Sequence, residues 1–357
     1  MSLIKVKSRG TDNVSGRRNL VFNGGMQIHQ RTGTITLGTG LTTTLDRMTF
    51  YKSHAGTNTV EQSTDTPVGF SNSLKFTTTV ADSSVAATDR VAMIYRMEGL
   101  DAAKLEFGTS NAQTINISFY VKSSITGTHG GAVGNGSDNR AYPFTYTISS
   151  ANTWERKSIT VAGDTTGTWA TNNARSLQVC WGLGVGATFS GTAGAWEAAD
   201  RNSATGATTG VLTTANATWF ITGIQIEIGS SASDFEHRSF AEELALCKRY
   251  YQVVRQGIMG TCGATNGTCY WWYEFPVEMR ASPSISCTTT AYRYGDMVSI
   301  GVAMSSITVN ASGYRSEKTG MWYVTGTKDS GSPVQYRTQL LEPQSASHGN
   351  FQFSAEL

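Results

Sequence analysis

The sequence predicts a mainly β protein: an N-terminal jelly-roll β-sandwich, one linking α-helix and a smaller C-terminal antiparallel β domain. Three observations predict it. Short runs of alternating or apolar β-branched and aromatic residues recur along the chain, separated by clusters of Gly, Asn, Ser and Thr. No helical periodicity interrupts them before residue 234, which excludes the alternating strand–helix order of a parallel sheet. The chain also holds 38 glycines against 6 prolines, and only 15% of its residues are charged, where about 25% is usual.

Residues 1–18 carry Lys5, Lys7, Arg9, Arg17 and Arg18 and have little to bury. They read either as a frayed terminus or as a docking arm, in which Leu3–Lys7 pairs with an open sheet edge. From Asn19, the run Leu20-Val21-Phe22 meets the turn signal Asn23-Gly24-Gly25. Thr49–Tyr51 and Ser73–Thr77 are short strands, and Val91–Met97 is apolar enough to be buried on both faces. Ile115–Lys122 alternates cleanly and places Ile115, Ile117, Phe119 and Val121 on one face. Phe144–Ile148, Trp154–Val161, Leu177–Trp181 and Trp219–Ile228 complete the series, giving a jelly-roll domain over residues 19–233. Two segments read as loops, Gly127–Asn139 and Phe189–Thr209. Long loops without structure of their own are commonly used for binding.

Asp234–Tyr251 has the one sustained helical signature. Phe240, Leu244, Cys247 and Tyr251 repeat at helical spacing, Ser239 and Glu242 fit a capping box, and the charges follow the helix dipole. A linker over 234–256 therefore joins the sandwich to a C-terminal β domain over 257–357, a module of about a hundred residues. The aromatic run Cys269-Tyr270-Trp271-Trp272-Tyr273-Glu274-Phe275 belongs at a core or an interface. Strands are expected at Ser284–Thr289, Met297–Val302, Ser306–Ala311, Gly320–Thr325 and Asn350–Glu356. The interface candidates are Phe240, Leu244, Cys247, Tyr251, Trp271 and Trp272.

A formal net charge of +2 argues against nucleic acid as a partner, because phosphate binding needs a concentrated basic face. No run reaches the roughly 18 apolar residues that would span a bilayer, and Met1–Ser8 lacks the pattern of a signal peptide. Synthesis in a cytoplasm and no membrane insertion are the expectations. The 5 cysteines cannot all pair within one chain. Free thiols are expected, with a Cys262–Cys269 bridge open if the protein meets an oxidising medium.

No catalytic motif is present. His29, His54, His129, His237 and His348 sit in none, and no phosphate loop, nucleophile elbow or zinc signature occurs. The expectation is that the protein is not an enzyme. Trp196, His129 and Tyr142 are the candidate ligand contacts: Trp196 either offers a stacking face to a sugar or packs back over the sandwich, and His129 is expected to be solvated. No cofactor is implied beyond a structural calcium ion, of the kind sugar-binding jelly rolls often hold where first and last strands meet. Asn23 and Glu227 are its candidate ligands, and Glu227 reads equally as a paired buried carboxylate.

Several runs resemble a group of bacteriophage tail-appendage proteins. They are Asn19–Ile28 with Arg31 and Asp46-Arg47, Ile117–Ser123, Trp154–Arg156 with Ile159–Trp169, and above all Gly223–Gly229 through Phe235-Glu236-His237-Arg238 to Glu243–Tyr251. The resemblance covers residues 19–251 and continues faintly at Met279–Pro283 and Ala355–Leu357. It implies a carbohydrate-binding-module-like jelly roll joined to a distal β domain, often in trimeric fibres. Trp154, Gly163, Asp164 and Trp169 read as architecture within it. The leading expectation is a non-catalytic virion protein, a tail fibre or receptor-binding protein that attaches to a host-surface glycan. The arm would dock on other virion tail proteins, and the helix would support a homotrimer. The alternatives are a head fibre or other virion decoration protein, and a polysaccharide depolymerase.

Overall fold

The computed structural model describes residues 17–31, 33–254, 257–262, 269–271, 273–286, 292–296, 302–310, 323–328, 338–343 and 351–357. Residues 1–16 of the expected docking arm, Trp272, the turn between Cys262 and Cys269, and most of the expected strand Met297–Val302 lie outside them. The chain divides into two units, Met1–Ser239 and Phe240–Leu357.

Along the first unit run β1 (Ile35–Thr36), β2 (Gly40–Thr43), β3 (Met48–Lys52), β4 (Thr57–Ser63), β5 (Ser73–Val80), β6 (Arg90–Glu98) and β7 (Ile115–Ser123). They are followed by β8 (Gly127–Asn135), β9 (Ala141–Ile148), β10 (Glu155–Val161), β11 (Arg175–Val185), β12 (Ser190–Gly191), β13 (Ser203–Ala204) and β14 (Thr218–Ile228). Two 6-stranded antiparallel sheets result, ordered β1-β4-β5-β14-β7-β10 and β2-β3-β6-β11-β8-β9. Their inner faces share one hydrophobic core, so the unit is the jelly-roll-like sandwich that the alternation predicts.

Strand β7 illustrates why. Ile115, Ile117, Phe119 and Val121 are all fully buried. On the opposite face Asn116 donates to Thr160 Oγ1 at 3.2 Å and accepts from Ser158 Oγ at 3.1 Å, both on neighbouring β10. The period of two has sorted the side chains by face. At the centre of the core, Phe119 meets the edges of Tyr146 (5.2 Å, 87°) and Trp181 (5.6 Å, 85°). Trp219 Nε1 donates to Tyr146 Oη at 3.2 Å, which satisfies the buried indole.

The entry and exit of this unit are tied together on β14. Leu20 N donates to Ile226 O at 2.9 Å and Ile224 N to Gly24 O at 3.0 Å. Asn19 Nδ2 donates to Ile224 O at 3.2 Å. From the exit segment, Glu236 accepts from Asn19 N at 2.6 Å, and Arg238 donates to Val21 O at 2.8 Å and to Asn19 O. The run Phe235-Glu236-His237-Arg238 is thus a clasp, and it accounts for residues 234–238 having no regular structure where a helix is expected.

Within the second unit the helix is confined to Phe240–Lys248. Tyr251 opens a strand instead, because it pairs in register with Ser354. The expected apolar stripe is accordingly broken: Cys247 and Tyr251 are buried, Leu244 is half-buried and Phe240 is 60% exposed. The strands are β15 (Tyr251–Val254), β16 (Ile258–Cys262), β17 (Cys269–Trp271), β18 (Ser284–Ser286) and β19 (Tyr292–Asp296), then β20 (Val302–Asn310), β21 (Tyr323–Lys328), β22 (Thr338–Pro343) and β23 (Phe351–Ser354). β16-β17-β21-β20-β19-β22 close into a small barrel, which includes Trp271, and β15-β23-β18 form a separate sheet. Cys262 and Cys269 face each other in the β16–β17 register.

One expectation is corrected in the sandwich. Gly127–Asn139 is not a loop, because Gly127–Asn135 is β8, paired with both β9 and β11. Its glycines removed the side-chain alternation that would have marked a strand.

Phe119, on the first sheet, joins the second through the contacts of its ring with Tyr146 and Trp181. Phe119→Ala is expected to destabilise the sandwich by about 3–5 kcal/mol, read as a lower denaturant midpoint for its unfolding.

Candidate functional site

The outer face of the second sheet is already occupied by the chain itself. Trp181 and Leu183 point into the core, so Gly182 between them faces outward, as does its β8 partner Gly130. Over these two glycines lies residues 187–209, a strap carrying the parallel pair β12–β13. A Cβ at Gly130 would stand 2.2 Å from Ser203 Oγ and 2.8 Å from Ala204 N, and one at Gly182 would stand 2.9 Å from Ser203 Cβ. The absence of side chains is what admits the strap.

Side chains then hold it down. Arg90 donates to Asp200 at 2.9 Å and to Asn202 at 2.6 Å. Its guanidinium carbon lies 4.1 Å from the Tyr51 ring centroid and 3.8 Å from that of Phe189. Asn202 Nδ2 donates to the buried Cys180 Sγ at 3.4 Å. Burial pushes the Cys180 thiol up to about 12, so it is an inert packing group rather than a nucleophile.

Space for a ligand opens instead at one end of the sandwich. A pocket of about 270 Å³ lies between the β6–β7 connection and the β10–β11 connection. Ala102, Leu105, Phe107, Trp169 and Ala170 form its apolar wall. Glu106, Thr109, Asn111 and Thr171 bring exposed polar groups to its rim. Phe107 and Trp169 meet edge to face at 4.8 Å and 84°.

Behind that wall stands Trp196, from the strap. Its ring is 5.7 Å from Trp169 and 5.9 Å from Phe107, close to perpendicular to both. Tyr142 backs Trp196 in turn at 5.5 Å. Trp196 Nε1 donates to Ala162 O at 2.8 Å. Trp196 and Tyr142 are therefore brought together, both half-buried, where they orient Trp169 and leave the pocket lining to it. The order of these four aromatics in space has no counterpart in their spacing along the chain.

Asp164 joins the connections that make the wall. It is 1% exposed and accepts from Arg140 Nε at 3.0 Å, Thr166 N at 3.3 Å and Trp169 Nε1 at 3.3 Å. Its own carbonyl accepts from Gly108 N at 2.7 Å. Burial pushes the Asp164 carboxyl up, but the hydrogen bonds from Arg140, Thr166 and Trp169 outweigh it and hold the group below 3.8.

His129 is not part of this site. It is fully buried in β8, with Nε2 3.0 Å from the Ile125 carbonyl and its ring stacked on Tyr146 at 5.5 Å. A carbonyl only accepts, so Nε2 carries the proton, and burial lowers the pKa further from charge. The expected solvated loop histidine is a neutral core residue, because its glycine neighbours belong to a strand.

The two calcium candidates are braces. Asn23 donates to Ile28 O at 2.8 Å and Asp46 O at 2.9 Å, and accepts from Ile28 N at 2.9 Å. Glu227 accepts from Ser233 N at 2.8 Å and Gln225 Nε2 at 3.0 Å. Among the described residues, no group of three or more His, Cys, Asp or Glu gathers as a metal cluster. The pair does not fit the oxygen-rich cage that calcium takes.

No family model matches this chain, and no curated protein matches it. Solved structures show low similarity to it. The enzymatically active domain of tailspike protein 4 from bacteriophage CBA120 is 12% identical, over 59% of this chain and 21% of that one, with a TM-score of 0.33. A family 11 carbohydrate-binding module from Clostridium thermocellum, in complex with a mixed-linked tetrasaccharide, is 11% identical over 58% of this chain and 99% of that one, with a TM-score of 0.28. A putative sugar-binding protein from Bacteroides thetaiotaomicron is 8% identical over 59% and 100%, with a TM-score of 0.34. Scores this low decide nothing about what the chain binds.

Removing Asp164 would leave the half-buried Arg140 and the Trp169 indole without their shared acceptor. Asp164→Ala is expected to cost about 1.5–3 kcal/mol, the usual worth of hydrogen bonds to a charged group. Because the folded pKa is depressed, this stabilisation is complete above the ordinary value of 3.8 and fades as pH falls through the lower folded value. Acid unfolding followed by tryptophan fluorescence should show that loss in the wild type and not in Asp164→Asn.

The strap has its own check. Gly130→Val should displace it, so that limited proteolysis cuts within 190–209 faster than in the wild type.

Proposed function

We propose that this protein is a non-catalytic glycan-binding component of a bacteriophage tail appendage, a tail fibre or receptor-binding protein that attaches to host-surface saccharide. The observation that carries the glycan half is the pocket itself. A sugar ring presents apolar C–H faces flanked by hydroxyls, and the pocket offers Phe107 and Trp169 as wall with Glu106, Thr109, Asn111 and Thr171 as rim. Ligand sites of this kind are apolar with a few placed polar groups.

Glu106 is the only carboxylate among the described lining residues. Glycoside cleavage normally needs two carboxyl groups about 5–10 Å apart, which favours binding over hydrolysis here. The tail-appendage half rests on the sequence resemblance over residues 19–251, whose most specific run forms the clasp at Glu236 and Arg238. Assembly as a homotrimer and docking through the arm belong to the same proposal. The 60% exposed Phe240 on the short helix is consistent with a surface left for a second copy.

The test is direct. Host-envelope polysaccharide should quench the fluorescence of the full chain and compete with phage for adsorption. Trp169→Ala should weaken saccharide binding by at least about tenfold, or about 1.4 kcal/mol, with a cooperative melt retained. Undiminished binding by Trp169→Ala would remove the pocket from the proposal.

A further inference from the structure

The rim of the pocket holds one residue that the fold does not need and would be easier without. Glu106 closes the 3-10 turn Ala103–Leu105 in the left-handed conformation, at φ 53° and ψ 26°. Glycine is the usual occupant of such a position, since an L side chain there meets the following carbonyl. The backbone of Glu106 is well used: its N–H donates to Ala103 O at 3.1 Å, and its carbonyl accepts from Thr109 Oγ1 at 2.7 Å. Its side chain is exposed, and among the described residues its carboxylate has no hydrogen bond or ion pair. A strained residue with an uncommitted charge on the lip of an aromatic pocket is where strain serves a site.

We infer that Glu106 sets the selectivity of this pocket, admitting the terminal residue of an uncharged glycan and turning away uronic and sialic acids. The inference rests on the saccharide reading above and specifies its ligand. A carboxylate accepts hydrogen bonds from sugar hydroxyls, and such charge-assisted bonds are roughly twice as strong as neutral ones. An acidic sugar seated on the same wall would bring a second carboxylate beside the first. No cation among the described lining residues offsets that repulsion. Size adds the restriction to chain ends. About 270 Å³ falls just below the roughly 300–1,000 Å³ of sites that enclose drug-sized ligands. It accommodates one pyranose with a small substituent, not a run of them.

The experiment uses the full chain and saturation-transfer NMR. The probes are the methyl glycosides of glucose, galactose and N-acetylglucosamine, each of the first two beside its uronide. The neutral glycosides should bind at least about tenfold more tightly than the uronides, a gap that Glu106→Gln should shrink to about threefold or less. Glu106→Gly should raise the melting temperature by relieving the left-handed side chain, while losing the same selectivity, a combination that a merely structural role would not produce. A uronide that binds the wild type as tightly as its neutral counterpart, or an unchanged gap in Glu106→Gln, would overturn the selectivity and leave the saccharide reading intact. Binding of none of these glycosides, together with none of the longer host polysaccharide, would overturn both.

Discussion

The pairing of buried Asp164 with Arg140 is the interaction on which the end of the sandwich depends. A carboxylate that is 1% exposed persists as an anion only when donors replace the water it has lost. Here they come from Arg140 after β8, from Thr166 in its own turn, and from the indole of Trp169. One group therefore fixes the β8–β9 hairpin to the β10–β11 connection and aims the aromatic that walls the pocket. Gly108, donating to the Asp164 carbonyl, brings in the β6–β7 connection that supplies Phe107 and Glu106. The pocket is a consequence of this joint more than of any sheet.

The strap accounts for the position of that pocket. With Ser203 and Ala204 resting on Gly130 and Gly182, the middle of the second sheet is closed to any ligand. The same segment sends Trp196 to the sandwich end, where it presses on Trp169 and Phe107. Covering the sheet and building the aromatic wall are thus two results of one chain path. The glycines permit the first, and the Ala162 carbonyl that receives the Trp196 indole fixes the second.

Much of the sandwich was legible from residues because its signal is local. Ile115–Val121 and the run Ile224, Ile226 and Ile228 alternate apolar with polar residues, the mark of a strand, and the ends of Ile115–Val121 and Trp219–Ile228 fall within a residue or two of β7 and β14. β8 is hidden for the complementary reason: a strand of glycines has no alternation to read, and the burial of His129 is hidden with it. The helix is shorter at both ends than its sequence signature, since Glu236 and Arg238 answer to Asn19 and Val21, and Tyr251 answers to Ser354. At the site, Trp196 and Tyr142 are candidate contacts in the sequence, but their role as backing depends on Trp169, which reads there as architecture. Glu106 carried no signal at all. Its exposure, its positive φ and its place at a rim are properties of the folded chain.

By itself, the sequence determined the β class, the faces of most strands, the turn at Asn23-Gly24-Gly25 and the lack of any familiar catalytic motif. Each follows from periodicity or from residue types within a few positions of one another. The tertiary structure alone decided that Phe107, Arg140, Asp164, Trp169 and Trp196 converge, and that the strap covers the sheet. Those residues lie on separate connections, brought together by the register of strands between them. Local pattern specifies which way a side chain points from its strand, but not which distant loop it will meet.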